Sequence, residues 1–355
     1  MHQCDSLHRH QFTRKPGTHA GLSCNYCKGQ TNVEDQFGPA VWARNPHLQT
    51  IFGSLKLRVW GKNTMADLSE EVIVAAGDAR LLGYHSRQPG HHPKGLIILL
   101  HGWEGSADST YILSTGRYFF RRGYDIFRLN LRDHGRSHGL NQGLFHGALT
   151  EETTLAVDNI TRLLPAGPSY LIGFSLGGNF ALRIALRQFF SSASNLREVF
   201  CISPALDPYK STMAIDAGFP AYRHYFLAKW KRSLRKKQHC FPDLYHFDGI
   251  LHHDTCMALT EAIMPYYTEW SHYRDYFQRY TLTGDVLAPL ALPVTIFASE
   301  DDPVVAVDDF YHLPRNGYLR VYVQKYGGHC GFLDPFPWGC WYERRIAGII
   351  ESQGQ

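Results

Sequence analysis

Ser175 stands in Gly173-Phe174-Ser175-Leu176-Gly177, a Gly-x-Ser-x-Gly pattern. A serine hydroxyl is a weak nucleophile until a base takes its proton, and histidine has the pKa for that task. A carboxylate must then hold the imidazole in the correct tautomer. Both partners lie downstream, in Ser299-Glu300-Asp301-Asp302-Pro303 and in Gly327-Gly328-His329. Serine, acid, histidine is the chain order of a nucleophile carried on a strand-to-helix corner. Ser175, Asp302 and His329 are therefore the expected nucleophile, acid and base.

Two acids compete with Asp302. Asp301 is adjacent, but the Asp-Pro-Val-Val continuation suits the turn that presents the acid, leaving Asp301 solvated or holding the loop. Asp207 follows the sixth expected strand and also reaches the catalytic edge. With twenty histidines in the chain, position has to decide among them. His134 and His146 sit on loops that could face the same edge, yet both precede the nucleophile. His101 reads as a histidine satisfied by local hydrogen bonds. Negative charge developing on a substrate oxygen needs N–H donors, and glycine-containing turns after strands can aim them inward. The backbone N–H groups of Trp103, in His101-Gly102-Trp103-Glu104-Gly105-Ser106, and of Leu176 are the expected pair.

These residues need a scaffold. The run 169–172 before the motif reads as a strand and 178–190 after it as a helix, the context a nucleophile corner requires. Gly173 and Gly177 lack the side chains that would crowd such a corner. Strands are expected at 71–75 and 81–85, joined by a Gly77-Asp78 turn, and at 95–100, 124–131, 199–202, 293–298 and 318–325. Helices are expected at 110–122, 150–164 and 341–350. The 95–100 run is apolar without interruption, as a strand buried on both faces must be. The alternation predicts an α/β fold: a mostly parallel central sheet with helices on both faces. Between 207 and 280 the rhythm breaks into an aromatic, basic stretch without strands, placed after strand 6 as a helical lid would be. Within it Phe226, Trp230 and Leu234 share a helical face, while Lys229, Lys231, Arg232, Arg235, Lys236 and Lys237 crowd the rest. Such a helix can rest on a membrane surface, but a solvated helix packed by its apolar stripe explains the pattern more simply.

The remaining bounds are broad. The 355 residues suffice for one large α/β domain, expected at 37–355. A net charge of +4 is too small to imply a nucleic-acid partner. No apolar run approaches the ~18 residues that span a bilayer. Eight scattered cysteines without a signal peptide point to free thiols and a cytoplasmic location. Residues 1–36 hold Cys4, His8, His10, His19 and the C-x-x-C of Cys24 and Cys27. Zinc is conceivable there, but no second C-x-x-C accompanies it and its other potential ligands are irregularly spaced. The segment is expected to be a disordered tail, and no metal or other cofactor is expected. Residues 42–52 combine the Asn45-Pro46 turn signal with a short apolar face, and the residues alone give this run no role.

The motifs at 101–106, 173–177, 301–303 and 328–329 together resemble those of α/β-hydrolases. More narrowly, Arg44-Asn45-Pro46-His47-Leu48-Gln49-Thr50 resembles the leading segment of the YheT-like esterases, the fourth family of the AB-hydrolase superfamily. The similarity runs from about Phe37 to the C-terminus. It implies serine-dependent hydrolysis of acyl esters, short- to medium-chain or lipid-like, with Ser175, Asp302 and His329 at the family's triad positions. Some relatives are linked to medium-chain acyl transfer or glycerolipid hydrolysis. Membrane-anchored relatives carry an N-terminal apolar helix that this sequence lacks, so a soluble, bacterial-type member is expected. Relatives also offer a His-x₄-Asp pattern, whereas here His146 is followed by Glu151. Acyl transfer to an alcohol would use the same acyl-enzyme and is the first alternative. A non-catalytic binding protein is the second, against which the intact Ser, Asp, His and flanking glycines speak.

Overall fold

Eight strands build one sheet: β1 (Ser69–Ala76), β2 (Ala79–Ser86), β3 (Leu96–Leu100), β4 (Asp125–Leu129), β5 (Ser169–Phe174), β6 (Leu196–Ile202), β7 (Val294–Ser299) and β8 (Leu319–Gln324). They come from a computed structural model that describes residues 36–90, 92–163, 167–187, 195–334 and 339–353. The tail with its C-x-x-C, and the end of the helix expected to reach Phe190, lie outside the described residues. The spatial order is β1-β2-β4-β3-β5-β6-β7-β8. β1 and β2 form an antiparallel hairpin, which Gly77 turns with φ of 67°. β2 meets β4 antiparallel, and every later pairing is parallel.

The helices are α1 (Pro46–Gly53), α2 (Thr64–Asp67), α3 (Thr110–Phe120), α4 (Thr150–Thr161), α5 (Leu176–Leu186), α6 (Pro208–Ala217), α7 (Pro220–Cys240), α8 (Cys256–Ile263), α9 (Tyr273–Gln278), α10 (Asp308–Tyr311) and α11 (Trp341–Ser352). β3 shows why its apolar run is unbroken. Leu96, Ile98 and Leu100 join a core with Val157 and Ile160 of α4 and Phe180 and Ile184 of α5. Ile97 and Leu99 point the other way, to a core with Ile112 and Phe119 of α3 and Tyr342 and Ile346 of α11. Side chains alternate across a strand, so a sheet covered on both faces needs apolar residues at every position.

Between β6 and β7 the stretch 207–280 contains α6 to α9 and no strand. α7 buries Tyr222, Leu227, Trp230 and Leu234. The expected solvated basic face needs one correction. Lys237 is fully buried, and its Nζ donates to Asp133 Oδ1 at 2.9 Å, Asn141 O at 2.7 Å and Gly143 O at 2.9 Å. Three residues on from Leu234, it continues the apolar stripe, and the loop after β4 supplies every partner its charge needs. Arg232, Arg235 and Lys236 are exposed. No helix among the described residues is long and apolar enough to cross a membrane.

Candidate active site

Parallel strands point their C-terminal ends to one edge of the sheet, and the loops there carry the chemistry-bearing side chains. Ser175 joins β5 to α5 with φ 51° and ψ −116°, a left-handed conformation that costs a non-glycine residue energy. Its N–H donates to Ile202 O at 2.9 Å, tying the corner to β6. The flanking glycines are steric requirements. A Cβ on Gly173 would collide with the Gly177 carbonyl, and one on Gly177 would sit 2.5 Å from the carbonyl oxygens of both Leu100 and His101.

Ser175 Oγ lies 2.9 Å from His329 Nε2. On the far side of the ring, His329 Nδ1 lies 2.9 Å from Asp302 Oδ2 and 3.1 Å from Oδ1. Asp302 is itself held, because Oδ1 accepts the N–H groups of Val304 at 2.8 Å and Val305 at 3.0 Å. Burial alone would pull the His329 pKa down. The Asp302 carboxylate, helped by the Cys330 thiol, outweighs it and raises the pKa well above 6.5.

None of the rival residues joins this relay, although His146 lines a cavity that Ser175 also lines. Asp301 Oδ1 accepts the Gly328 N–H at 2.8 Å and so holds the histidine loop. Asp207 caps α6, accepting the Lys210 N–H at 3.0 Å. His101 is buried, with Nδ1 2.8 Å from Gly102 O and Nε2 accepting the Leu131 N–H at 3.2 Å. His134 places Nδ1 2.7 Å from Arg132 O. His146 faces Glu269 of the helical insertion, Nε2 to Oε1 at 3.4 Å, while Glu151 is exposed. Burial drives the pKa of His101 well below 6.5 and those of His134 and His146 down to about 4.

The two candidate oxyanion donors flank the serine. Leu176 opens α5, where an N–H has no acceptor within the helix. Trp103 follows Gly102, whose own N–H goes to Tyr111 Oη at 3.0 Å. Both Trp103 and Leu176 line a cavity that Ser175 also lines.

The residues that sequence reading missed are those that hold His329 from below. Asn45 caps α1, accepting from His47 N at 2.9 Å and Leu48 N at 3.1 Å, with Pro46 at the first helical position. This is what Asn-Pro signals, and the turn was legible while its purpose was not. α1 brings Thr50 Oγ1 within 2.9 Å of the His329 N–H, which it accepts, while donating to Pro46 O at 2.7 Å. Gln49, fully buried, donates to Ala43 O at 2.7 Å and accepts the Leu333 N–H at 2.7 Å. Ser299 Oγ donates to Gly328 O at 2.9 Å, and Ser203 Oγ accepts the Cys330 N–H at 3.1 Å. Gly328 has φ of 54°, and a Cβ there would collide with Pro46 O and sit 2.7 Å from Thr50 Oγ1, leaving no room for a side chain. Thr50→Val is expected to lower kcat roughly tenfold, the ~1.4 kcal/mol of one misplaced hydrogen bond, with KM nearly unchanged. Thr50→Ser should restore most of the loss. Steady-state kinetics of the two variants checks this, and equal defects in both would deny the hydroxyl its positioning role.

Residues 95–336 match the protein family described as alpha/beta hydrolase fold. The chain belongs to this α/β-hydrolase family. The human protein ABHD15 is 24% identical in an alignment of 322 positions that covers 86% of this chain and 66% of that protein. The chain thus spans just under two thirds of the length of the curated relative it matches. Among solved structures, an esterase of Pyrococcus furiosus is similar over 82% of this chain and 96% of its own, at 15% identity and a TM-score of 0.50. A 2,6-dihydroxy-pseudo-oxynicotine hydrolase is similar over 79% of this chain and 67% of its own, at 20% identity and a TM-score of 0.52. At such identities these likenesses show the α/β-hydrolase fold alone.

Proposed function

We propose that this α/β-hydrolase is a serine-dependent carboxylic ester hydrolase, with Ser175 as nucleophile, His329 as base and Asp302 as its orienting acid. The observation that carries this reading is the unbroken relay Ser175 Oγ–His329 Nε2, His329 Nδ1–Asp302, with both links at 2.9 Å. Ser175 Oγ attacks the ester carbonyl carbon while its proton passes to His329 Nε2. The carbonyl oxygen becomes an oxyanion facing the N–H groups of Trp103 and Leu176. The carbon–oxygen bond to the alcohol then breaks as His329 returns the proton to the leaving oxygen. Water adds to the acyl-serine, again giving its proton to His329, and the acid departs as Ser175 is reprotonated. The resemblance at residues 44–50 supports placement among the YheT-like esterases, and α1 in this reading serves to seat the histidine loop.

The test combines fluorophosphonate labelling of Ser175 with a pH profile of ester hydrolysis. Only neutral imidazole can accept the serine proton, so kcat/KM rises as pH climbs through the His329 pKa. The Asp302 carboxylate places that limb above 6.5. His329→Ala should lose nearly all activity and the limb with it. Single alanine substitutions of His101, His134 and His146 should keep the limb, since these rings are already neutral over that range. A wild-type profile in His329→Ala would give the base to another residue.

A further inference from the structure

Two cavities meet at Ser175, and they differ in size and in which catalytic group they reach. The smaller, about 90 Å³, is lined by Leu176 and by Trp230, Tyr267 and Tyr276 of the insertion, and does not touch His329. The larger, about 450 Å³, is lined by His329, Gly102, Thr50 and Tyr222. Trp103, Phe226 and Val304 line both, and Trp103 stacks on Phe226 with ring centroids 5.2 Å apart and planes 10° from parallel, so this aromatic pair stands in the partition between them.

The direction of the chemistry says what each cavity holds. The carbonyl oxygen turns to the Leu176 and Trp103 N–H groups, and the leaving oxygen must come within hydrogen-bond reach of His329 Nε2. The alcohol half of an ester therefore lies in the cavity that His329 lines, and the acyl half in the one it does not. Resting on the reading of Ser175 as nucleophile and His329 as base, we infer that the substrate is an ester of a short acyl group with a bulky, largely apolar alcohol, sorted by the Trp103–Phe226 partition.

Size supports the acyl side. A cavity of roughly 150 Å³ takes a benzene ring, so 90 Å³ suits an acyl chain of about four carbons or fewer. Its wall does not yield readily. The Tyr276 hydroxyl accepts the Gly147 N–H at 2.9 Å, the Tyr267 hydroxyl donates to Phe145 O at 3.0 Å, and the two rings pack against each other with centroids 5.7 Å apart. The alcohol side has five times the volume and an apolar rim of Ile51, Leu55 and Tyr225, all exposed. Of its two charged residues, the Lys229 ammonium is held by protein groups and the Glu104 carboxyl is drawn toward its neutral form. Lys229 Nζ donates to Glu104 O at 3.1 Å and sits 4.7 Å from the Tyr225 ring centroid, and burial pushes the Glu104 carboxyl up to about 8.

Two ester series test the partition on the full chain, one lengthening the acyl group on a fixed small alcohol, the other enlarging the alcohol of an acetate. For the wild type, kcat/KM should fall about tenfold or more between four- and eight-carbon acyl chains, because a filled pocket rejects added methylenes. It should hold or rise as the alcohol grows from ethyl to 2-naphthylethyl, both primary alcohols of closely similar leaving-group acidity. Phe226→Ala removes one member of the stacked pair and should recover most of the loss on long acyl chains, while Ser175 still labels with a fluorophosphonate. A preference for long acyl chains on small alcohols, in a protein that labels, would overturn this inference alone. Failure of Ser175 to label in the same preparation would overturn the serine-hydrolase reading and the partition with it.

Discussion

Ser175→Ala is expected to lower kcat by about 10³-fold or more, the scale seen when an activated serine is removed from a working relay. That is at least ~4 kcal/mol of transition-state stabilisation, all of it from one oxygen. The change leaves no hole, because Ser175 Oγ borders open cavities rather than packed core. Alanine keeps the Cβ and therefore the left-handed backbone strain at φ 51°, so the melting temperature should move little. Turnover of a reactive ester and a thermal melt, measured on the same preparation, check both halves. Wild-type turnover would remove Ser175 from the chemistry altogether.

Asp302→Asn is expected to cost even more relative to its size, approaching the ~10⁴-fold known for this change in serine enzymes. The local geometry explains how. The Val304 and Val305 N–H groups point at Oδ1 and will select the amide oxygen there, which turns the amide NH₂ toward His329 Nδ1. Nδ1 must then act as acceptor, the ring proton moves to Nε2, and the nitrogen facing Ser175 can no longer take a proton. Asp301→Asn retains an oxygen for the Gly328 N–H and should cost only a few-fold. Asp207→Asn retains a good helix cap and should be close to neutral. Comparing kcat of the three variants on one ester distinguishes them, and a crippled Asp207→Asn would move the acid to the loop after β6.

The order of elements was legible because each strand carries a periodicity that local physics dictates. The 95–100 run reads as a doubly buried strand because nothing polar interrupts it, and Leu96 through Leu100 do face two cores. The left-handed corner at Ser175 was legible for a related reason. Glycines on both sides of a serine, between a strand and a helix, leave few other backbone paths. Such signals are contained within ten or fifteen residues.

Long-range partners were not. Lys237 sits among six basic residues and looks solvated, and only the docking of α7 against the loop after β4 surrounds its ammonium with Asp133, Asn141 and Gly143. Thr50 is 279 positions from His329, and no periodicity reports a hydrogen bond across that distance. The two cavities depend likewise on Trp103, from the loop after β3, meeting Phe226 of α7. The sequence by itself determined the sheet, the corner and the candidate nucleophile, acid and base, because those follow from patterning and backbone sterics. Tertiary structure alone decided which side chains hold the histidine loop and how the space around Ser175 is divided. Those features arise from contacts between segments far apart in the chain, whose geometry exists only once the cores have packed.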